Sequence, residues 1–229
     1  MKAGIIHSHS FVADAAYIIA EAAEEAVRAR GLFRLGLCGG STPAPVYAEL
    51  AGMPEIAWEK VQITFGDERC VPPGDAESNY RMARETLLGK ISIPEGNVWR
   101  IRGEIPPGDA AREYDARLGE LGRRLGETRY RHDLLLLGMG DDGHTASLFP
   151  GTAALDEKER SVVANFVPKF NAHRVTVTYP LIAAARHVCF LVNGASKAGV
   201  VRDILTGDSS YPAGRVALES GRLTWLLGF

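Results

Sequence analysis

An α/β fold, with a mostly parallel sheet and helices on both faces, is predicted by three features of this 229-residue sequence. Apolar runs such as "LFRLGLC", "LLLL" and "HVCFLVNG" are short and unbroken, which suits strands covered on both faces. Segments of helical pattern follow most of these runs, so strand and helix alternate as they do in right-handed βαβ units. Glycines and ionisable residues gather where the runs end, and sheets of this kind bind ligands beyond the carboxyl ends of their strands.

The opening "MKAGIIHSHS" holds a first short strand, and its apolar stretch is too short for a secretory signal. Residues 11–30, "FVADAAYIIAEAAEEAVRAR", are rich in alanine and glutamate and stop at Gly31, so they read as a helix with a glycine terminus. The strand "LFRLGLC" runs into "GGSTPAPVYAEL", where Thr42 is expected to cap a helix whose first turn holds Pro43. "VQITF" is the next strand; the long polar loop "GDERCVPPGDAESNY" follows it and leads to the helical "RMARETLL". "NVWRI" reads as a shorter strand ahead of a helix from about Asp109 to Arg131. In that helix Ala111, Tyr114, Leu118, Leu121 and Leu125 form one apolar stripe and the arginines a solvated face. Leu134 to Leu137 form a strand against a glycine loop. "RVTVTYP" and "HVCFLVNG" are later strands leading into the helical "LIAAA" and "ASKAGVVRDIL", and "RLTWLLG" is the last strand. The loops at Gly39, Gly66, Gly138 and Asn193 all follow strands and are expected to share one edge of the sheet.

Composition narrows the function classes. The chain is 46% apolar and 24% charged with a formal net charge of −2, ordinary values for a soluble globular protein. Residues 1–229 are read as a single domain, because no linker, low-complexity tract or fixed-period repeat divides them. Balanced charge offers no basic surface for a nucleic acid, and no run of about eighteen apolar residues offers a membrane span. A cytoplasmic protein is expected, acting on a small molecule as a monomer or weak homo-oligomer. Cys38, Cys70 and Cys189 are odd in number and set in apolar sequence, which fits reduced, buried thiols. No cofactor motif and no metal-ligand spacing is evident.

Four stretches could carry chemistry. In "GGST", Gly39 and Gly40 let backbone N–H groups approach an anion closely, while Ser41, Thr42 and the helix start add donors; a tight turn before a helix would need the same glycines. "GDER" crowds Asp67, Glu68 and Arg69 at a strand end. This is either a solvated turn or, beside an anion site, an arginine fork for phosphate or a carbonyl oxygen. Lys197 lies near a helix start, an unfavourable place for a cation unless an anion shares it. His7, His9, His132, His173 and His187 have no ligand spacing and read as structural or exposed. His144 differs: it follows a buried strand and a glycine loop, has Asp141 and Asp142 within three residues, and precedes Thr145 and Ser147, which suit a helix start. An imidazole is largely neutral at pH 7, as a general base must be, and a carboxylate beside it fixes its tautomer. No serine-nucleophile elbow or catalytic-cysteine signature is present, which leaves water as the attacking group.

In order along nearly the whole chain, "LCGGSTPAPVYAEL", "ITFGDERCVPPGDAESNYRMARETLL", "DLLLLGMGDDGHTASLFPG", "RVTVTYPLI" and "VCFLVNGASKAGVVRDIL" resemble the 6-phosphogluconolactonase family. That family belongs to the superfamily of the glucosamine/galactosamine-6-phosphate isomerases and deaminases. The resemblance implies a Rossmann-like three-layer architecture and metal-free hydrolysis of 6-phospho-D-glucono-1,5-lactone in the oxidative pentose phosphate pathway. It also implies His144 as the base that activates water and Asp142 as the carboxylate that orients it. By the same resemblance Gly40, Ser41, Thr42 and Lys197 form the phosphate pocket, Arg69 contacts substrate, and Asp67 and Arg174 lie near the sugar. The family's proline-rich stretch before "RVTVT" reads "VPKFNAH" here. The isomerase/deaminase branch carries a glutamate shortly after the histidine, and "SLFP" puts Phe149 there, which favours the lactonase reading. A sugar-phosphate sensor of a transcriptional regulator would add a helix-turn-helix, for which the first strand leaves no room.

Overall fold

In a computed structural model, which describes residues 3–229, six parallel strands form the main sheet. Their order is β1 (Gly4–His7), β9 (Arg222–Gly228), β8 (His187–Asn193), β5 (Leu134–Gly138), β2 (Phe33–Leu37) and β3 (Val61–Phe65). Met1 and Lys2, which begin the stretch read against a secretory signal, lie outside the described residues. The unbroken apolar runs become the inner strands: Leu35, Leu37 and Leu134 to Leu137 are fully buried, as are Val188 to Val192. Helices cover both faces, so such strands have no solvent side on which to place polar residues. Phe190 and Trp225 stack across β8 and β9 with centroids 4.0 Å apart.

The helix α1 (Phe11–Arg30) turns Ile19 and the small side chains of Ala15, Ala16, Ala22, Ala23 and Ala26 inward. It ends as expected at Gly31, whose φ of 73° lets its N–H close on the Val27 carbonyl at 2.8 Å. Next to it packs α2 (Pro43–Leu50). Thr42 does not cap α2: its backbone is already helical and its side chain makes no capping bond. Further along are α3 (Asn79–Thr86), α4 (Pro107–Arg124), α5 (Tyr179–Ala184) and α6 (Ala198–Leu205). Within α4, Ala111, Tyr114, Leu118 and Leu121 are buried as their spacing predicts. That helix stops at Arg124 rather than Arg131, because Gly126 takes a φ of 72° and leaves Leu125 exposed.

Three strands lie outside the parallel sheet. "GDER" is not a loop: β4 (Asp67–Arg69) pairs antiparallel with β7 (Ala172–Val177), which pairs antiparallel with β6 (Val162–Val167). "RVTVT" therefore belongs to this smaller sheet, and β6 is an element the sequence reading missed. Gly66 joins the sheets: its N–H bonds Leu37 of β2 and its carbonyl accepts from Val177 of β7, both at 2.9 Å. "NVWRI" forms only one bridge, Val98 to Ile63. The Tyr114 hydroxyl takes its place, bonding the Phe65 amide at 2.8 Å and the Trp99 carbonyl at 3.2 Å, groups a strand ladder would have used. No helix among the described residues is long and apolar enough to cross a membrane. Cys38 and Cys189 are buried, whereas Cys70 is only half-buried; all three are free thiols.

Candidate active site

Chain order reverses direction between β2 and β5: β3 lies on one side of β2, and β5, β8 and β9 follow on the other. Loops leaving adjacent strands at such a point diverge and leave a crevice. A cleft of about 300 Å³ lies there, lined by the loop after β2 and the loop after β5, with β4 and β7 contributing from the small sheet. Gly39, Gly40, Ser41, Thr42, Asp67, Arg69, His144, Arg174 and Lys197 all line it, so the structure brings these predicted residues together. Asp142 stands behind His144 and does not line the cleft.

One end of the cleft suits an anion. The loop after β2 is anchored by Tyr47, whose hydroxyl accepts from the Cys38 amide at 3.0 Å and donates to the Cys38 carbonyl at 2.8 Å. Gly40 then takes a φ of 99°, a conformation costly for a side chain, and Ser41 stays exposed. Arg69 and Arg174 are register partners across β4 and β7, so two guanidinium groups sit side by side. Burial, and then the Arg69 charge, push the Arg174 guanidinium below its usual range. Arg69 Nε is buried without a hydrogen-bond partner, while its Nη1 donates to the Glu77 carbonyl. Half-buried Lys197, just ahead of α6, has no salt bridge among the described residues. The lining cations outnumber Asp67, whose carboxylate is itself bonded to the Ser147 hydroxyl at 2.6 Å and to Asn79 at 3.1 Å. Such an excess of desolvated positive charge favours a phosphate or carboxylate guest.

The other end carries the imidazole. After β5, Gly143 takes a φ of 71° and its N–H bonds Gly140 at 3.0 Å, folding the chain into a tight loop rather than the expected helix start. Thr145 instead donates to the Gly138 carbonyl at 2.8 Å, and Ala146 is held at a φ of 48°. The loop is tied to the small sheet, since the Ser147 amide donates to Thr176 at 3.1 Å and Asn165 donates to the Ser147 carbonyl at 2.9 Å. His144 Nδ1 meets Asp142 Oδ1 at 2.5 Å. An ionised carboxylate at that distance holds the proton on Nδ1 and leaves Nε2 with its lone pair. Burial alone would raise the Asp142 carboxyl; the hydrogen bond from Lys169 at 2.8 Å, and then His144, bring it down to about 2. The imidazole stacks on Phe149, and Phe149 meets Phe170 edge-on with centroids 5.6 Å apart.

Several contributors went unread in the sequence. Glu68 is buried and accepts from the Asn79 and Tyr80 amides at 2.7 and 2.8 Å, so its carboxylate caps α3 together with Ser78. Burial pushes its carboxyl up, against the hydrogen bonds that hold it ionised. The signal was present in "ESN", a capping serine just ahead of the helix, but its acidic partner lies ten residues upstream in β4. Lys169 and Phe170 sit in the turn between β6 and β7 and could not be placed while β6 was unrecognised. His132 and His187 are structural, bonded to Thr64 at 2.8 Å and Thr224 at 3.0 Å, and His7, His9 and His173 are exposed.

Comparison with known proteins identifies the family. Residues 7–225 match the family model described as glucosamine-6-phosphate isomerases/6-phosphogluconolactonase. A 6-phosphogluconolactonase of Synechocystis is 40% identical over 207 residues, covering 89% of this chain and 85% of that protein. One from Rattus norvegicus is 40% identical over 204 residues, covering 86% and 79%. The crystal structure of 6-phosphogluconolactonase from Thermotoga maritima superposes with a TM-score of 0.87 at 28% identity, covering 100% of both chains. The chain therefore belongs to the glucosamine-6-phosphate isomerase/6-phosphogluconolactonase family, and as an enzyme it stands with the 6-phosphogluconolactonases.

Proposed function

We propose that the chain hydrolyses 6-phospho-D-glucono-1,5-lactone to 6-phosphogluconate, with His144 as general base and no metal. One observation carries the reading: a carboxylate-held imidazole and an uncompensated set of Arg69, Arg174 and Lys197 open onto the same cleft. The phosphate dianion is held by the amides and hydroxyls of Gly39 to Thr42 and by Lys197, which anchors the lactone with its ester carbon toward His144. Nε2 takes a proton from water, and the water oxygen bonds to the carbonyl carbon. Arg69 stabilises the resulting oxyanion, with Arg174 beside it and Asp67 oriented by Ser147 near the sugar. The carbonyl then re-forms, the bond from that carbon to the ring oxygen breaks, and the imidazolium returns its proton to the departing oxygen. Asp142 stabilises the imidazolium between the two transfers.

Phe149 also supports the lactonase reading over the amino-sugar isomerase/deaminase one. The ring-opening chemistry of the latter calls for a carboxylate in the stretch after the histidine, and an aromatic ring lies against the imidazole instead. The test is direct. The lactone is generated in place with a sugar-phosphate dehydrogenase, and proton release is followed against spontaneous opening for the wild type and His144→Ala. Acceleration by the wild type with loss in the variant is expected. Equal acceleration by both ends the assignment to His144, and release of ammonia from glucosamine 6-phosphate ends the lactonase assignment.

A further inference from the structure

Asp142 has two oxygens and two partners: Oδ1 meets His144 Nδ1 at 2.5 Å, and Oδ2 accepts from Lys169 Nζ at 2.8 Å. The lysine belongs to a different sheet. It sits at the tip of the β6–β7 hairpin, where Val167 and Ala172 are the last register pair and residues 168–171 make the turn. Pro168 restricts the backbone on one side of it, Asn171 takes a φ of 46° on the other, and the Asn171 N–H closes the turn on the Pro168 carbonyl at 3.1 Å. A lysine on a free loop would spend side-chain and backbone entropy to hold one carboxylate; here the backbone part is already ordered by the hairpin. The adjacent residue, Phe170, takes the edge-on contact with Phe149, whose face lies on the imidazole. Arg174 stacks over the ring of Phe170 at 5.1 Å. One turn thus reaches His144 along two routes, ionic through Asp142 and aromatic through Phe149.

We propose that Lys169 is a positioning residue that shares the Asp142 carboxylate and so opposes proton uptake by His144, keeping it competent as a base. The inference rests on the reading of His144 as the base. A carboxylate alone beside an imidazole stabilises the imidazolium and raises the pH at which the ring gains a proton. Too strong a stabilisation fills the base with a proton before water arrives. Lys169 shares the Asp142 charge from the far oxygen, weakening that pull while leaving Oδ1 in place to fix the tautomer. The remaining charged groups around His144 are Asp141 and Asp142 on its own loop, Asp67 and Arg69 from β4, Arg174 from β7, and Lys197 ahead of α6. Replacing Lys169 leaves all of them in place, so the change isolates one charge.

The lysine does not line the cleft and is 56% exposed, so its removal takes little from packing and nothing from the cleft lining. The test compares wild type, Lys169→Met and Lys169→Arg on the lactone across the acid limb of kcat/KM, together with an NMR titration of the His144 ring. For Lys169→Met the limb and the ring titration both move upward by about half a pH unit, the size expected of one partly exposed charge. On the alkaline plateau of the profile most of kcat is retained and KM stays within about twofold of the wild type. Lys169→Arg restores the limb, because a guanidinium supplies the same charge to Oδ2. An unmoved limb and ring titration in Lys169→Met overturns the proposal, as does a raised KM at every pH, which would make Lys169 a substrate ligand. His144→Gln separates the two readings: if it keeps the wild-type rate the base assignment fails, while the ring titration of the lysine variants still reports whether Lys169 acts on the imidazole.

Discussion

The rings of His144 and Phe149 lie face to face, with centroids 3.9 Å apart and planes 21° apart, although the two residues are neighbours on a loop without regular structure. The contact exists because the loop doubles back: the Leu148 N–H bonds the Thr145 carbonyl at 2.9 Å and returns the chain beneath the imidazole. Aromatic pairs of this kind are worth about 0.5–1.5 kcal/mol beyond their burial. Phe149→Ala removes the wall that keeps the imidazole from rotating away from Asp142. A fall in kcat of about tenfold is expected, with Phe149→Leu losing less, and steady-state kinetics of the two variants checks it.

His144→Ala is expected to lower kcat by about 10²- to 10⁴-fold, the usual worth of a general base, with KM changed far less. Asp142→Asn keeps a group of the same shape but removes the charge that stabilises the imidazolium, so its kcat falls to an intermediate level. Single-turnover measurements on the lactone distinguish both from a binding defect.

Lys197→Ala acts on the other term. Losing a charge-assisted hydrogen bond to a phosphate costs about 1.5–3 kcal/mol, which corresponds to a rise in KM of roughly 10- to 100-fold with a smaller change in kcat. Competitive inhibition by inorganic phosphate weakens in parallel, and a phosphate titration of the resting enzyme reads this without turnover.

Gly140→Ala tests the loop itself. A Cβ at this position would meet the His144 imidazole, and it would lie 3.0 Å from Asp142 Oδ1. The atoms it would meet belong to those two side chains rather than to backbone, so the variant is expected to fold and to lose kcat together with the short His144 to Asp142 contact. Circular dichroism and the downfield imidazole proton resonance separate those outcomes.

Stability against acid follows from two histidines outside the cleft. Burial lowers His132 to about 3, and burial followed by the Arg222 charge lowers His187 to about 4. Each is neutral in the fold but accepts a proton near pH 6.5 when unfolded, so stability is full above that pH and drains away as the pH falls toward the folded values. His132 alone contributes a loss on the order of 3 kcal/mol by about pH 4. Urea unfolding at neutral and acid pH is expected to show this slope. His132→Gln, which keeps a hydrogen-bonding group for Thr64, is expected to flatten it while lowering stability at pH 7.

The parallel sheet was legible because burial on both faces leaves its mark within each strand: Leu134 to Leu137 needs no distant information to be read. His144, Arg69 and Lys197 were legible because each follows a strand that ends at the same edge. The small antiparallel sheet was not, since β4 is three residues long and "VVANFV" lacks a strict alternation. Its pairing is fixed by Gly66 and by Asn165, contacts between residues far apart in the chain. Lys169 and the capping role of Glu68 stayed hidden for the same reason, as their partners Asp142 and Asn79 lie 27 and 11 positions away.

The small sheet is riveted along its length: Gly66 joins β2 to β7, α4 packs on β6 and β7, and Ser147 bonds both Thr176 and Asn165. Its β6–β7 tip is exposed, and from it Lys169 reaches Asp142 while Phe170 reaches Phe149. Exchanging that tip disturbs the imidazole through both side chains and also Arg174, which stacks on Phe170. An engineer seeking a bulkier lactone must therefore keep both side chains while reshaping the turn that carries them.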